Sequence, residues 1–98
     1  MAKLKVYTVF DSKTEHYGTP FFQQTTGEAL RSWTDLANDS STMICKHPED
    51  FSLMEIGVYD DLTGAFENRN APLNLGLASQ FKHKPEIQDN LFNMKKGS

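Results

Sequence analysis

The fold is decided by residues 25–38, TTGEALRSWTDLAN, which predict one helix with both of its ends marked. Thr25 and Glu28 have the spacing of a capping box, in which each side chain accepts a hydrogen bond from a backbone N–H of the first turn. Because a helix this short is marginal by itself, its apolar face predicts a sheet or a partner beneath it. That face is a stripe of residues at steps of three and four: Ala29, Leu30, Trp33, Leu36 and Ala37.

Strands are predicted on both sides of this helix. Residues 3–10 alternate with a period of two, and a polar loop separates them from a short strand over residues 21–24. After the helix, residues 51–59 are apolar on both faces, which indicates a central strand. A tight turn at residues 60–64 returns the chain as a partner strand over residues 65–68. We therefore expect an α+β fold, a small antiparallel sheet of about four strands in β-β-α-β-β order, packed by one main helix.

The same pattern predicts a single α+β domain over residues 1–81 and a polar C-terminal tail over residues 82–98. Residues 43–45 are apolar and are interpreted as a short extended piece. Residues 73–81 are interpreted as a strand end that leads into a short helical turn. For the tail, a proline near its start and a glycine near its end predict a brief helix, with a flexible extension as the alternative.

The composition limits the class of protein. The chain has 98 residues, which is the length of one small domain. Its net charge is −3, so it is unsuited to wrapping nucleic acid by charge alone. Its one cysteine, Cys45, excludes an intrachain disulfide and fits a reducing cytoplasm. No apolar run approaches the roughly 20 residues that span a bilayer, so no membrane contact is expected.

The sequence predicts no catalytic residues, no metal ligands and no cofactor. Cys45, His47, Glu49 and Asp50 cluster, but a structural zinc site needs closure by a second, distant cluster. The adjacent aspartates at 60–61 are typical of a turn rather than of an acid/base pair. The three histidines lie in polar, loop-like stretches without a neighbouring nucleophile. We therefore expect a protein that is not an enzyme.

Basic and aromatic residues predict a nucleic-acid surface. Single strands are bound by cationic grooves together with rings on which bases stack, and Tyr17, Phe21 and Phe22 are further candidates for such rings. The alternative, which the acidic net charge favours, is that these cations form a solvated surface and the rings form the core. The candidate nucleic-acid-binding residues are Lys3, Lys5, Tyr7, Arg31, Arg69, Lys82 and Lys84.

An exposed strand edge predicts a homodimer. The edge strand is expected to be either the N-terminal strand, with Leu4, Val6 and Phe10, or the return strand, with Ala65 and Phe66. Unpaired backbone groups at such an edge invite pairing with a second copy. A small domain also gains stability from association.

Five segments, taken in order, carry a family resemblance: KVYTVFDSK (5–13), PFF (20–22), GEALR (27–31), KHPEDF (46–51) and DDLTGAF (60–66). Together they resemble the small non-structural protein of gokushovirus microphages, bacteriophages with circular single-stranded DNA genomes. The similarity runs from about residue 3 to residue 81. The resemblance implies a non-capsid protein in the cytoplasm of the host bacterium, linked to viral DNA replication or genome packaging, and it lends no catalytic residues.

Two functional hypotheses follow from the sequence. In the first, a viral accessory protein binds single-stranded DNA or a viral replication or packaging complex, as a dimer, through one basic-aromatic sheet face. In the second, an adaptor binds a host or viral protein through the sheet edge or the tail, without contacting nucleic acid.

Overall fold

The computed structural model describes residues 3–83 as a curled antiparallel sheet with one main helix on one of its faces. The predicted α+β class with one main helix is confirmed, but the sheet has five strands instead of four. The elements are β1 (Lys3–Asp11), β2 (His16–Tyr17), β3 (Phe21–Gln23), α1 (Thr26–Asn38), α2 (Met43–Lys46), β4 (Phe51–Asp60), β5 (Ala65–Leu77) and a 3-10 turn at Ala78–Phe81.

Helix α1 begins where its capping residues predict. The Thr25 hydroxyl accepts a hydrogen bond from the backbone N–H of Glu28 at 3.1 Å. The Glu28 carboxylate accepts in turn from the backbone N–H of Gln24, one residue before the cap, also at 3.1 Å. The Thr25 half of the predicted capping box is thus formed, whereas Glu28 accepts from the residue before the cap instead of from Thr25. The predicted apolar stripe faces the sheet. Its most buried members are Ala29, Trp33 and Ala37.

The strand order places β1 inside the sheet. β1 pairs with β4 on one side and with both β2 and β3 on the other, and all pairs are antiparallel. The prediction of an exposed N-terminal edge strand is therefore wrong. β4 lies between β1 and β5, as its two apolar faces predict. Among residues 3–83, β5 pairs with β4 alone, so the return strand is the edge strand that the alternative predicted.

The additional strand, β2, arises from a tight turn after β1. The backbone N–H of Glu15 donates to the carbonyl of Asp11 at 2.8 Å, and Glu15 has a φ of 60°. This turn folds His16 and Tyr17 back onto the end of β1. The residues between positions 11 and 20 therefore form a hairpin rather than the predicted loop, and the β-β-α-β-β order gains a strand before the helix.

Two further boundaries differ from the prediction. Residues 43–45, predicted to be extended, lie in α2, because the Thr42 hydroxyl caps this turn by accepting from the N–H of Cys45 at 3.1 Å. β5 does not end at residue 68 but continues to Leu77, where the predicted strand end and helical turn follow. The helix or extension predicted for the tail after position 83 lies outside the described residues.

Irregular pairing curls the sheet around β4. Ile56 is an extra residue in β4 relative to β1, and the pairing of β5 with β4 jumps over residues 69–72. A Cβ on Gly57 would lie 2.6 Å from the carbonyl oxygen of Glu67, so the close approach of the two strands requires glycine. Bulges bend a strand and increase its twist. Strict alternation along β4 predicts Val58 on the same face as Met54, and the extra residue moves Val58 to the opposite face.

The core lies between α1 and one face of the sheet. Tyr7 and Leu53 contribute from β1 and β4, Trp33 contributes from the helix, and Ala78 closes one end from the 3-10 turn. Half-buried apolar residues, including Phe21, surround this cluster. The opposite face of the sheet carries no helix within the described part of the chain, and it is this face that sets up the candidate site.

Candidate functional site

The two faces of the sheet separate the predicted cations from the exposed rings. Residues directly opposite each other on antiparallel strands project to the same face. Lys3, Lys5 and Tyr7 share one face of β1, as their alternation predicts, and this face packs against α1. Phe22 lies opposite Val6 and therefore projects to the other face. The predicted basic-aromatic sheet face does not form, because cations and exposed rings lie on opposite faces.

We call the second surface the helix-free face. The strand register assigns to it residues of all five strands, and none of the residues so assigned is charged. They are Leu4, Val6, Thr8, Phe10, Tyr17, Phe22, Ser52, Met54, Gly57, Tyr59, Phe66, Asn68, Asn74 and Leu77.

Tyr7, predicted to stack on a base, is buried. Its side chain is 0% exposed, its ring packs on Phe21 at a centroid distance of 5.8 Å, and its hydroxyl donates to the Thr26 hydroxyl at 3.3 Å. Burial raises the pKa of the Tyr7 hydroxyl, the hydrogen bond to Thr26 lowers that pKa, and the negative charge of Glu55 raises it. The ring offers no face to a base, so the predicted stacking role of Tyr7 is withdrawn.

Lys3 and Lys5 lie near the start of α1 and are engaged with the protein itself. The Lys3 ammonium lies 3.7 Å from the Glu67 carboxylate in an exposed ion pair. The Lys5 ammonium donates to the Thr26 hydroxyl at 3.2 Å. An exposed pair such as that of Lys3 contributes little to stability, but the carboxylate weakens the positive field that a phosphate would meet.

Arg69 neutralises a buried carboxylate. Its guanidinium Nη1 donates to Glu55 Oε2 at 3.0 Å, and the side chain of Glu55 is only 10% exposed. Glu55 lies directly opposite Tyr7 in the sheet, under the edge of the helix. A buried carboxylate needs such a partner, so the position of Arg69 is explained by the fold.

The remaining predicted cations are dispersed. Lys82 lies beside the C-terminal end of α1, where its ammonium is 3.2 Å from Cys45 Sγ. Thr26 and Asn38 mark the two ends of this helix and are separated by about 18 Å at 1.5 Å per residue. Arg31 is exposed on the helix between them. Lys84 lies outside the described residues, and the others form no continuous positive groove.

Three rings form a cluster on the helix-free face, which we call the aromatic surface: Phe22, Tyr59 and Phe66. The ring centroids of Tyr59 and Phe66 are 4.8 Å apart, and Phe22 lies 5.6 Å from Tyr59 and 6.3 Å from Phe66. Phe22 is 44% exposed and Phe66 is 57% exposed. Large apolar side chains this exposed, in mutual contact, are typical of an interaction site rather than of a core.

A cavity of about 290 Å³ opens beside the aromatic surface. The extra residue in β4 and the adjacent glycine contribute to its walls, so the bulge that curls the sheet also shapes this cavity. The lining residues are Val6, Pro20, Phe22, Ile56, Gly57, Phe66 and Asn68.

The loop before β3 divides the helix-free face. The Thr8 hydroxyl donates to the carbonyl of Gly18 at 2.7 Å, which holds this loop over the centre of the face. Beyond the loop, Phe10 and Tyr17 form a second aromatic pair, with centroids 4.7 Å apart, and Tyr17 is 51% exposed. The face thus presents two groups of rings with an uncharged loop between them.

The candidate stacking rings predicted from the sequence were Tyr7, Tyr17, Phe21 and Phe22. Of these, Tyr17 and Phe22 are exposed, whereas Tyr7 and Phe21 belong to the core. Tyr59 and Phe66 were not among the candidates. The available signal was the tight turn at residues 60–64, which makes Tyr59 and Phe66 near neighbours across a hairpin. The bulge at Ile56, which fixes the face to which both rings project, leaves no comparable mark in the sequence.

Neither a metal site nor a membrane segment is found in the part of the chain that the structure describes. There, no three His, Cys, Asp or Glu side chains come together in a geometry suited to a metal ion. None of the helices in residues 3–83 combines the length and the apolar character that a membrane crossing requires.

Fold and site together define a small α+β protein with an uncharged, aromatic sheet face. The chain belongs to the bacteriophage family described as Phage ORF5 protein, whose model matches residues 4–81. This match agrees with the resemblance to a small phage protein and with its extent along the sequence. No curated protein and no solved structure matches the chain.

Proposed function

We propose that this phage accessory protein assists viral genome replication or packaging in the host cytoplasm by binding protein through its aromatic surface. The observation that carries the proposal is the exposure of Phe22 and Phe66 on a sheet face without a charged residue. Aromatic side chains are enriched at the centres of protein interfaces, where charged residues are depleted. This is the adaptor hypothesis from the sequence, except that the protein partner binds the sheet face instead of the sheet edge or the tail.

The distribution of charge supports protein rather than DNA as the ligand. Binding of a polyanion gains most of its free energy from lysine and arginine side chains that neutralise phosphates. Here Lys3 and Arg69 are paired with carboxylates, and both lie on the other side of the sheet from the aromatic surface. The net charge of −3 adds a repulsive average field.

The test is affinity purification of the tagged full chain from cells that carry the phage genome, with nuclease added. We expect a phage-encoded protein to be retained by the wild type and by Arg31→Glu, and to be lost with Phe66→Ser. Arg31 is the matched control, since it is exposed on the helix side and belonged to the predicted DNA surface. Loss of the retained protein after nuclease treatment would refute the proposal.

Binding of single-stranded DNA is a second candidate, favoured by the same exposed rings. An antiparallel sheet that presents aromatic side chains on one face is a known platform for stacking bases. Such binding would depend on Phe22 and Phe66 and only weakly on salt, since the face lacks cations. Fluorescence anisotropy with a labelled oligonucleotide distinguishes the two candidate functions. The proposed protein-binding function predicts no binding of the oligonucleotide at low salt. Stacking of bases predicts binding that Phe66→Ala abolishes and Lys5→Glu leaves intact.

A further inference from the structure

We infer that the protein seated on the aromatic surface is a second copy of this chain, with Phe66 of each copy entering the cavity of the other. The inference rests on the proposed function, because it takes the helix-free face to be a protein-binding surface and names the occupant. The homodimer expected from the sequence is thereby moved from a strand edge to a sheet face.

The aromatic surface carries both halves of a self-complementary contact. A twofold interface uses the same patch on both copies, so that patch must contain a projection and a depression that fit each other. Phe66 is the most exposed of its three rings, at 57%, and the cavity of about 290 Å³ lies immediately beside it. The cavity is below the size of most small-molecule sites, which suits it to a single large side chain.

The charges of the chain favour contact through this face over other surfaces. Each copy carries a net charge of −3, so two copies repel each other on average. The residues assigned to the helix-free face are uncharged, so no like charges are forced together when two such faces meet. Within the described part of the chain, carboxylates such as Glu55 and Glu67 lie on the helix side, away from this contact.

Edge-to-edge pairing is disfavoured by the form of β5. Residues 69–72 are skipped in its pairing with β4, and this irregular stretch ends at Pro72, which has no backbone N–H to donate. Bulges and prolines are the features that keep natural edge strands from pairing with another copy. On the other side of the sheet, β3 and β2 cover residues 5–7 and 10–11 of β1, and these outer strands are only three and two residues long. Very short edge strands are likewise poor templates for pairing.

The exposed apolar area fits a dimer of modest affinity. Phe22, Phe66 and Tyr17 are 44%, 57% and 51% exposed. Rings of this size bury about 200 Å² each, so together they leave about 300 Å² for a partner. A standard interface covers about 800 Å² per copy, so the rings supply its centre and the surrounding loop and strand residues supply the rim.

Sedimentation velocity of the full chain over a range of concentrations tests the inference. We expect the wild type to pass from monomer to dimer as its concentration rises, and Phe66→Ala to shift this midpoint at least tenfold. Met43→Ala is the matched control, because Met43 is an exposed apolar residue on α2, remote from the helix-free face, and this variant should dimerise as the wild type does. A wild type that remains monomeric, or a dimer that Phe66→Ala leaves unchanged, overturns the inference.

A second measurement keeps the test independent of folding. In a Cys45→Ser background, which removes the native thiol, Asn68→Cys places one thiol at the cavity of the proposed twofold contact and leaves the Phe66 ring in place. We expect mild oxidation to link two copies at position 68, and Met43→Cys in the same background to remain unlinked. Equal linking at both positions overturns the inference. A monomeric chain that still binds a phage protein through Phe66 would overturn the second copy as occupant while leaving the proposed function intact.

Discussion

Replacing Arg69 by alanine tests whether this residue serves the fold or a nucleic acid. We expect Arg69→Ala to lower the free energy of unfolding by about 2 kcal/mol. The Glu55 carboxylate, 10% exposed, would lose a charge-assisted hydrogen bond of 3.0 Å. Breaking a fully buried ion pair costs about 3–5 kcal/mol. Because the Arg69 side chain is 41% exposed, water reaches the vacated site and the cost falls below that range.

The measurement is urea denaturation of Arg69→Ala beside Arg31→Ala, which removes an exposed helix arginine and should cost less than about 0.5 kcal/mol. A double-mutant cycle with Glu55→Gln isolates the pair. In that background no buried charge remains, and we expect Arg69→Ala to cost less than about 1 kcal/mol. The reasoning is refuted if Arg69→Ala is as stable as Arg31→Ala, or if Glu55→Gln does not reduce its effect.

Three further substitutions probe the core and the sheet. The buried indole N–H of Trp33 has no hydrogen-bond partner within the described residues. We therefore expect the free energy of unfolding of Trp33→Phe, measured by urea denaturation, to lie within about 1 kcal/mol of the wild-type value. A loss above about 3 kcal/mol would contradict this. Because folding raises the pKa of the Tyr7 hydroxyl, we expect the free energy of unfolding to fall as the pH rises above about 10. Tyr7→Phe should make this fall with pH shallower in urea denaturation at alkaline pH. An unchanged pH dependence would contradict the contribution of Tyr7. A Cβ at Gly57 would approach the Glu67 carbonyl oxygen to 2.6 Å, so Gly57→Ala should lower the free energy of unfolding by about 1–3 kcal/mol. Gly18→Ala, where the nearest contact of the added Cβ is 3.6 Å, should lower it less. Equal shifts of the melting temperature in the two variants would refute the clash.

Much of the fold was predictable from local signals. The capping box at Thr25 and Glu28 and the stripe around Trp33 fixed the start and the buried face of α1, because both depend only on neighbours along the chain. The two apolar faces of β4 likewise predicted its place inside the sheet. The identity of the edge strand was not predictable, since β1 is enclosed by β2 and β3, and β2 is only two residues long.

The candidate site was predictable only in part, because it depends on which face of the sheet each residue joins. Alternation placed Lys5 and Tyr7 together, but it does not say that their shared face lies under the helix. Once the helix covers that face, Tyr7 and its register partner Phe21 belong to the core, and the exposed ring is Phe22, which lies opposite Val6. The bulge at Ile56 then decides which rings of the hairpin join Phe22, and a single extra residue of this kind leaves no periodic pattern.

The most direct measurement is site-specific photocrosslinking in cells that carry the phage genome. A benzophenone amino acid replaces Phe66 on the aromatic surface in one variant and Arg31 on the helix in a second. The account predicts a protein adduct from position 66 that survives nuclease, with none from position 31. An adduct from position 66 that contains DNA, or protein adducts from position 31 alone, would contradict the claim that the aromatic surface is where this phage protein binds its protein partner.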